Sequence, residues 1–197
     1  MTRISLSGFP TVLETKRLIL RPWKDDEADA QALFRYASDP EIGPNAGWLP
    51  HESVIYSGNM IRTILKKDGI FAITRKGGDN EAIGSIGLAM SSSGARGRKE
   101  TEAELGYWIA RPYQNQGLTT EAVREMLRYA FCDRQREGVW CCYYDGNLRS
   151  RHVMDKTGFT YDHTDFHSFN PMMDKYFVEH FMYLPAQRYF NYIGKML

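Results

Sequence analysis

Residues 104–133 read ELGYWIARPYQNQGLTTEAVREMLRYAFCD, and two periodicities meet inside them. Leu105, Tyr107 and Ile109 alternate with Glu104, Gly106 and Trp108, the period of a strand, which Pro112 stops. Leu118, Ala122, Val123, Met126, Leu127, Ala130 and Phe131 then recur at three-to-four residue spacing while Arg124, Glu125 and Arg128 fall on the other side, predicting an amphipathic helix. Between them Gln114-Asn115-Gln116-Gly117-Leu118-Thr119 opens straight into that helix. A phosphate suits the place: Gly117 has no Cβ to hold a ligand off the backbone, and the unpaired N–H groups of the first turn point outward along the helix dipole. The plainer reading is that Gly117 only permits a tight strand-to-helix turn, and the local pattern leaves both open.

Val139 to Tyr144, VWCCYY, is apolar on both sides, as in a strand inside a sheet. The helix before it makes it a parallel neighbour of the 104–109 strand through a right-handed crossover. Upstream, Ile70 to Arg75 and Ala82 to Met90 predict antiparallel strands around the hairpin loop 76–80. Residues 16–22 predict a strand ending at Pro22, at a sheet edge. Asp25 or Asp26 caps a helix running to about Ala37, with Ala28, Ala32, Leu33 and Tyr36 on its buried stripe. After the Pro- and Gly-rich loop 38–50, whose Trp48 and Leu49 are expected to pack down, a second helix from about Glu52 to Lys67 presents Ile55, Met60, Ile61, Ile64 and Leu65.

Ser91 to Thr101 reads as a solvated hairpin loop; the alternative is that its Arg96, Arg98 and Lys99 guide an acidic ligand. Asn147 opens a further helix, and Phe159 to Phe169 and Lys175 to Leu184 predict an antiparallel pair around Asn170-Pro171. The tail after Pro185 is apolar at Tyr189, Phe190, Tyr192 and Ile193, and is expected to dock on the body or on a second subunit.

With 197 residues, 43% of them hydrophobic, the chain fits one α/β domain, residues 1–11 forming an arm and 185–197 a tail. Its 25 basic and 24 acidic side chains leave a formal charge of +1, so no global field draws it to nucleic acid or to a membrane surface. Cys132, Cys141 and Cys142 read as reduced core thiols, the last two pointing to opposite faces of a strand. The opening MTRISLSGFP has no apolar run of signal length, and nothing approaches the ~18 apolar residues of a membrane span. The expected setting is the cytoplasm, as monomer or homodimer.

Gln114-x-x-Gly117-x-Thr119 resembles the Q/R-x-x-G-x-G/A pyrophosphate loop of the GNAT superfamily of acetyl-CoA-dependent N-acetyltransferases. The longer string ELGYWIARPYQNQGLTTEA looks like the branch containing the bacterial ribosomal-protein N-terminal acetyltransferases. Asn147-x-x-Ser150-x-x-Val153-Met154-Asp155-Lys156-x-Gly158-Phe159 resembles the N-x-x-S-x-x-v-x-e-K-x-G-F segment of that branch, and LETKRLILRPW, residues 13–23, its first strand. Thr119 departs from the Gly or Ala of the pattern: its methyl group crowds the pyrophosphate or its hydroxyl adds a bond.

The resemblance implies a mixed, mostly antiparallel α/β sheet with a splayed parallel strand pair and flanking helices. It implies acetyl-CoA as co-substrate without a metal, its phosphates on Gln114, Asn115, Gln116, Gly117, Leu118 and Thr119. Its pantetheine would lie between the Glu104 and Val139 strands, splayed beyond Ile109, against the backbone near Ile109 and Arg111. The reaction needs a neutral amine, donors for the developing oxyanion and a proton for the thiolate. Glu104 is the candidate base, with Glu102 on the same face; either reads equally as a solvated strand residue, and His163, His167 and His180 are alternative bases. Met154 stands where many GNAT enzymes carry a tyrosine acid, and a thioether donates no proton. Ser150 is the substitute by resemblance, with Asn147 beside it holding pantetheine or water; the plain readings are a helix N-cap and a first-turn residue.

The acceptor is a primary amine, of a protein N-terminus or of a small molecule such as a polyamine, amino sugar or amino acid. Trp48, Glu104, Phe166, Phe169 and Tyr176 are the expected pocket walls. A non-catalytic acyl-CoA-binding regulatory domain is the alternative, favoured by Thr119 and the missing tyrosine. General nucleotide binding fits poorly, because neither a P-loop Lys-Ser/Thr nor a Rossmann glycine triplet is present.

Overall fold

The strand, turn and helix of residues 104–133 form as β5 (Glu102–Ile109), a short 3-10 turn (Arg111–Tyr113) and α4 (Leu118–Arg128), which runs on as a π-helical turn through Asp133. They come from a computed structural model that describes residues 12–90 and 99–193. Before them lie β1 (Leu13–Glu14), β2 (Leu18–Arg21), α1 (Glu27–Ala37), α2 (Gly43–Ala46), α3 (Val54–Met60, extended by a π-helical turn to Leu65), β3 (Ile70–Arg75) and β4 (Gly84–Met90). After them come β6 (Gly138–Tyr144), α5 (Leu148–Lys156), β7 (Thr160–Asn170), β8 (Lys175–Pro185) and α6 (Ala186–Ile193).

The eight strands among the described residues share one sheet in the order β1-β2-β3-β4-β5-β6-β8-β7. Every neighbouring pair is antiparallel except β5–β6, the parallel pair that the intervening helix requires. This is the mixed, mostly antiparallel sheet with flanking helices that the resemblance implied. Alternation along β5 sends Leu105 and Ile109 into one core with Leu118, Val123, Met126 and Leu127 of α4. Trp108, of opposite parity, packs with the second core around Trp23, Leu33, Ala37 and Ile61 under α1 and α3. Each large apolar side chain of α4 buried this way contributes about 1.5–3 kcal/mol by leaving water, so packing rather than helix propensity holds α4 in place.

Several expectations are corrected. β2 is not the edge strand, because the two-residue β1 pairs outside it. On α1 Ala28 is exposed, and Asp29 takes the buried position because Arg21 binds it with both nitrogens at 2.7 and 2.6 Å. On α3 and its extension Ile55 and Ile64 are exposed, while Ser57, Gly58 and Ile61 are buried. A small-residue face lets α3 approach α1, where a Cβ on Gly58 would meet the Cβ of Ala30 at 3.7 Å. Trp48 packs edge-on to Trp108 at 5.9 Å, but Leu49 is exposed. Cys132 is exposed, so of the three thiols only Cys141 is a fully buried core residue. The tail docks on the body: Tyr189 of α6 stacks on Phe131 at 4.6 Å. Residues 1–11 and Arg96 and Arg98 lie outside the described residues.

Candidate active site

β5 and β6 pair at only three positions, Glu102 opposite Gly138, Ala103 opposite Val139 and Glu104 opposite Trp140. Beyond them β5 follows β4 as far as Ile109 opposite Gly84, while β6 follows β8 as far as Tyr144 opposite Glu179. Two strands held by different antiparallel neighbours in a twisting sheet diverge. The splay therefore begins beyond Glu104, five residues earlier than the resemblance implied. It makes a wedge-shaped cavity of about 460 Å³, within the usual ~300–1,000 Å³ of small-molecule sites.

One end of the wedge is a backbone cradle. Asn115 and Gly117 both adopt left-handed backbone (φ 60° and 74°), turning the chain sharply into α4, and Gly117 is an N-cap that offers no side-chain bond to the first-turn amides. Gly117 thus suits its left-handed conformation, and the turn it permits leaves the first-turn amides of α4 without a side-chain cap. Arg17 pins the loop by donating to the Gln116 carbonyl at 3.0 Å. Glu121 holds Arg17 in turn and takes a 2.6 Å bond from Thr15. Burial pushes the Glu121 carboxyl up, but the bonds from Thr15 and Arg17 outweigh it and leave its pKa below the ordinary value.

Of the expected phosphate contacts, Gln114, Asn115, Gly117 and Thr119 line the cavity. The Leu118 side chain is in the core, and the Gln116 side chain bends back to the Pro112 carbonyl at 2.8 Å. Ile109 lines the wedge, and its carbonyl already accepts from Gln114 Nε2 at 3.1 Å. Arg111 points away to Asp39 (2.5 Å) and Glu41 (3.1 Å), where it ties the end of β5 to the segment before α2.

The other end carries carboxylates. Glu104 lines the cavity and accepts from the Cys142 thiol at 3.5 Å. Glu179 of β8 lines it too, almost fully buried, and accepts from Ser168 Oγ at 2.5 Å. Burial, with the charges of Glu104 and Glu179, holds the Cys142 thiol well above its ordinary pKa. Glu102, one strand pleat away, is not a solvated residue: it is buried and accepts from Trp140 Nε1 (2.8 Å) and Tyr183 OH (3.0 Å). Burial raises its carboxyl pKa, but those bonds and the Lys99 N–H outweigh it, leaving it below the ordinary value. Between Glu104 and Trp108 the wall is bare at Gly106, where a Cβ would meet nothing within 4 Å.

Asn147 and Ser150 reach the wedge from the start of α5. Asn147 caps the helix, its Oδ1 accepting from the Ser150 N–H at 3.2 Å, and its Nδ2 donates to the Asn45 carbonyl at 3.3 Å. The Ser150 hydroxyl lies 3.0 Å from the phenol oxygen of Tyr107. Met154 is buried in the core. The alternative bases stand elsewhere: His163 pairs with Asp162, His180 bridges Thr164 and Asp145, and neither these nor His167 lines the cavity.

Of the expected acceptor walls only Glu104 lines the cavity; Phe166, Phe169 and Tyr176 are exposed along the β7–β8 hairpin, on and beside the outermost strand, and Trp48 lies behind Trp108. Glu41 and Asn45, from the α1–α2 segment, and Tyr144 and Glu179 stand there instead. That segment is held down by Asn170 Nδ2, which donates to the Gly47 carbonyl and to Tyr144 OH, each at 2.8 Å. The parity that put Tyr107 on the same side as Ile109 was readable from the sequence. Glu179 was not, because its place beside Cys142 depends on the β6–β8 register. Among the described residues no group of three or more His, Cys, Asp and Glu side chains is placed to hold a metal ion, and no helix is long and apolar enough to cross a membrane.

Residues 17–160 match the family described as Acetyltransferase (GNAT) domain. The chain is 30% identical over 155 residues to an uncharacterized N-acetyltransferase, YoaA, of Bacillus subtilis (strain 168), covering 77% of this chain and 83% of that one. It is 40% identical over 58 residues, 29% of this chain and 32% of the relative, to the putative ribosomal N-acetyltransferase YdaF of the same organism. In fold it resembles Mycobacterium smegmatis RimJ, solved in complex with CoA-disulfide, with a TM-score of 0.70 at 17% identity over 93% of this chain and 94% of that one. A strand pair splayed over a glycine-capped helix, and a family match spanning most of the chain, lead to one conclusion: this protein belongs to the GNAT family of acetyltransferases.

Proposed function

We propose that the protein moves an acetyl group from acetyl-CoA directly to a primary amine, with the cofactor in the β5–β6 wedge, its phosphates on the amides at the start of α4, and Glu104 as base. The observation that carries this reading is the arrangement of the wedge: an amide cradle at one end, a carboxylate at the other, and the Ser150 hydroxyl on the wall between. Beyond Glu104 the side of β5 that faces β6 has no strand partner, so its backbone groups suit the pantetheine amides and the thioester oxygen.

In the reaction Glu104 takes a proton from the acceptor ammonium, directly or through water. The neutral nitrogen forms a C–N bond to the acetyl carbon as the C–S bond breaks. The electron pair of that bond goes to sulfur, and Ser150 gives the sulfur its proton. The open wall at Gly106 gives the amine its approach beside Glu104. Direct transfer is favoured over an acetyl-cysteine because the one thiol beside Glu104, Cys142, is held protonated and a thiol is a poor nucleophile.

The acceptor class we favour is a protein N-terminal amine, on the partial likeness to a putative ribosomal N-acetyltransferase; a small-molecule amine is the alternative. Thiol release from acetyl-CoA, measured against N-terminal peptides, polyamines, amino sugars and amino acids with products identified by mass spectrometry, tests both levels. Turnover with peptides acetylated at the α-amine is the expected result. Tight acetyl-CoA binding without turnover on any amine would instead favour a non-catalytic sensor.

A further inference from the structure

Tyr107 is placed by the same alternation that builds the β5 core. Leu105 and Ile109, its neighbours on that face, are purely apolar and buried. Tyr107 pairs with Ile86 on β4, but β6 has already left β5, so its ring stands in the widening gap and reaches across to α5. There its oxygen lies 3.0 Å from Ser150 Oγ and 3.1 Å from the Ser150 carbonyl oxygen. A phenylalanine would fill the same apolar space, so the hydroxyl is what distinguishes the residue, and two atoms of Ser150 lie within hydrogen-bond distance of it, with the Cys141 thiol as a further neighbour.

We infer that Tyr107 is a positioning residue for the Ser150 hydroxyl, donating a hydrogen bond to Ser150 Oγ as the Ser150 proton turns toward the leaving sulfur. The inference rests on the assignment of Ser150 as proton donor. A phenol has one proton and can aim it at either acceptor. While it points at the Ser150 carbonyl, Ser150 donates to the phenol oxygen and its own proton is turned from the wedge. When it points at Oγ, that acceptor site is filled and the serine proton is directed outward. Exchanging the two states rotates two hydroxyls and moves no heavy atom.

The second state also answers a chemical difficulty. An aliphatic hydroxyl is a weak acid, and once its proton has gone to sulfur the oxygen carries negative charge. A donor 3.0 Å away stabilises that charge through a charge-assisted bond until water returns a proton to Ser150. Burial, followed by the nearby Cys141, holds the phenol pKa well above its ordinary value, so Tyr107 keeps the proton it needs to act as donor.

The test is a double-mutant cycle of Tyr107→Phe and Ser150→Ala, with kcat, the KM for acetyl-CoA and thermal midpoints measured for all four proteins. Tyr107→Phe is expected to lower kcat about 10- to 100-fold, less than the ~10²–10³-fold typical of deleting a donor to the reacting oxygen itself, with the KM for acetyl-CoA within about twofold. In the Ser150→Ala background the same substitution is expected to add no further loss, because the oxygen it served is gone. A purely structural hydroxyl would lower the thermal midpoint in both backgrounds and leave kcat alone. Unchanged kcat in Tyr107→Phe, or an equal loss in both backgrounds, overturns the inference. Full kcat in Ser150→Ala overturns the proton-donor assignment first, and the inference with it.

Discussion

The two ends of the β5–β6 wedge are built by different means. The cradle end is made of backbone, and all its parts lie within one run of chain: a strand, two left-handed residues and a helix start between Leu105 and Thr119. The carboxylate end is made of side chains delivered by three segments far apart in sequence, at Glu104, Cys142 and Glu179. A backbone site tolerates changes of side chain but not of φ. A side-chain site tolerates changes of backbone neighbour but not of functional group. That difference can be broken by substitution.

The largest effect is expected at the carboxylate end. Glu104→Gln keeps the shape and removes the base, so the rate should fall by about 10²- to 10⁴-fold, most steeply on the acidic limb, with acetyl-CoA affinity nearly unaltered. Steady-state rates across pH, together with calorimetry, check it; a wild-type profile would move the base elsewhere. At the cradle the pattern reverses. Gly117→Val forces a β-branched residue into φ 74°, a strain of about 1–3 kcal/mol that opens the turn, so acetyl-CoA affinity should weaken about 10- to 100-fold by calorimetry.

A smaller effect separates Glu102 from Glu104, two carboxylates of equal parity on one strand. Glu102 is held ionised below the ordinary carboxylate range by Trp140, Lys99 and Tyr183 against the opposing effect of burial. Its contribution to stability is therefore present above the ordinary carboxylate pKa and is lost as pH falls through the lowered folded value. Glu102→Gln should cost about 1–3 kcal/mol near neutrality and less in acid, read from denaturant unfolding at several pH values. A cost independent of pH would contradict the ionic role. The smallest change is expected for Gln116→Ala, whose side chain only returns to the Pro112 carbonyl: less than about twofold in acetyl-CoA affinity, since the cradle uses amides.

The same contrast explains what could be read before the fold was in hand. Leu105 to Phe131 carried its strand, turn and helix in local periodicity, and Asn147 and Ser150 in local spacing, so the cradle and the α5 wall were legible. Glu41 and Glu179 were not, because nothing local states that β8 lies beside β6 or that the segment after α1 folds over the gap. Aromatic residues misled for a physical reason. Phe166, Phe169 and Tyr176 look like pocket walls, but they are exposed on the β7–β8 hairpin, which meets the wedge through Asn170 and Phe177 at Tyr144 instead. Ile55 and Ile64 misled in the same way, because α3 packs on α1 through Ser57 and Gly58. The point of splay was missed because it follows from where the parallel β5–β6 pairing ends, at Glu104 opposite Trp140, which no local pattern states.

The central claim is that CoA lies in the wedge and is held there by backbone. Amide hydrogen exchange with and without saturating CoA tests it most directly, because it reads the proposed contacts themselves. New protection is expected in two short stretches, 105–109 along the open side of β5 and 117–120 at the start of α4, with little change across the β7–β8 hairpin. Absence of protection in both stretches at saturating CoA, or protection centred on another face of the sheet, would contradict it.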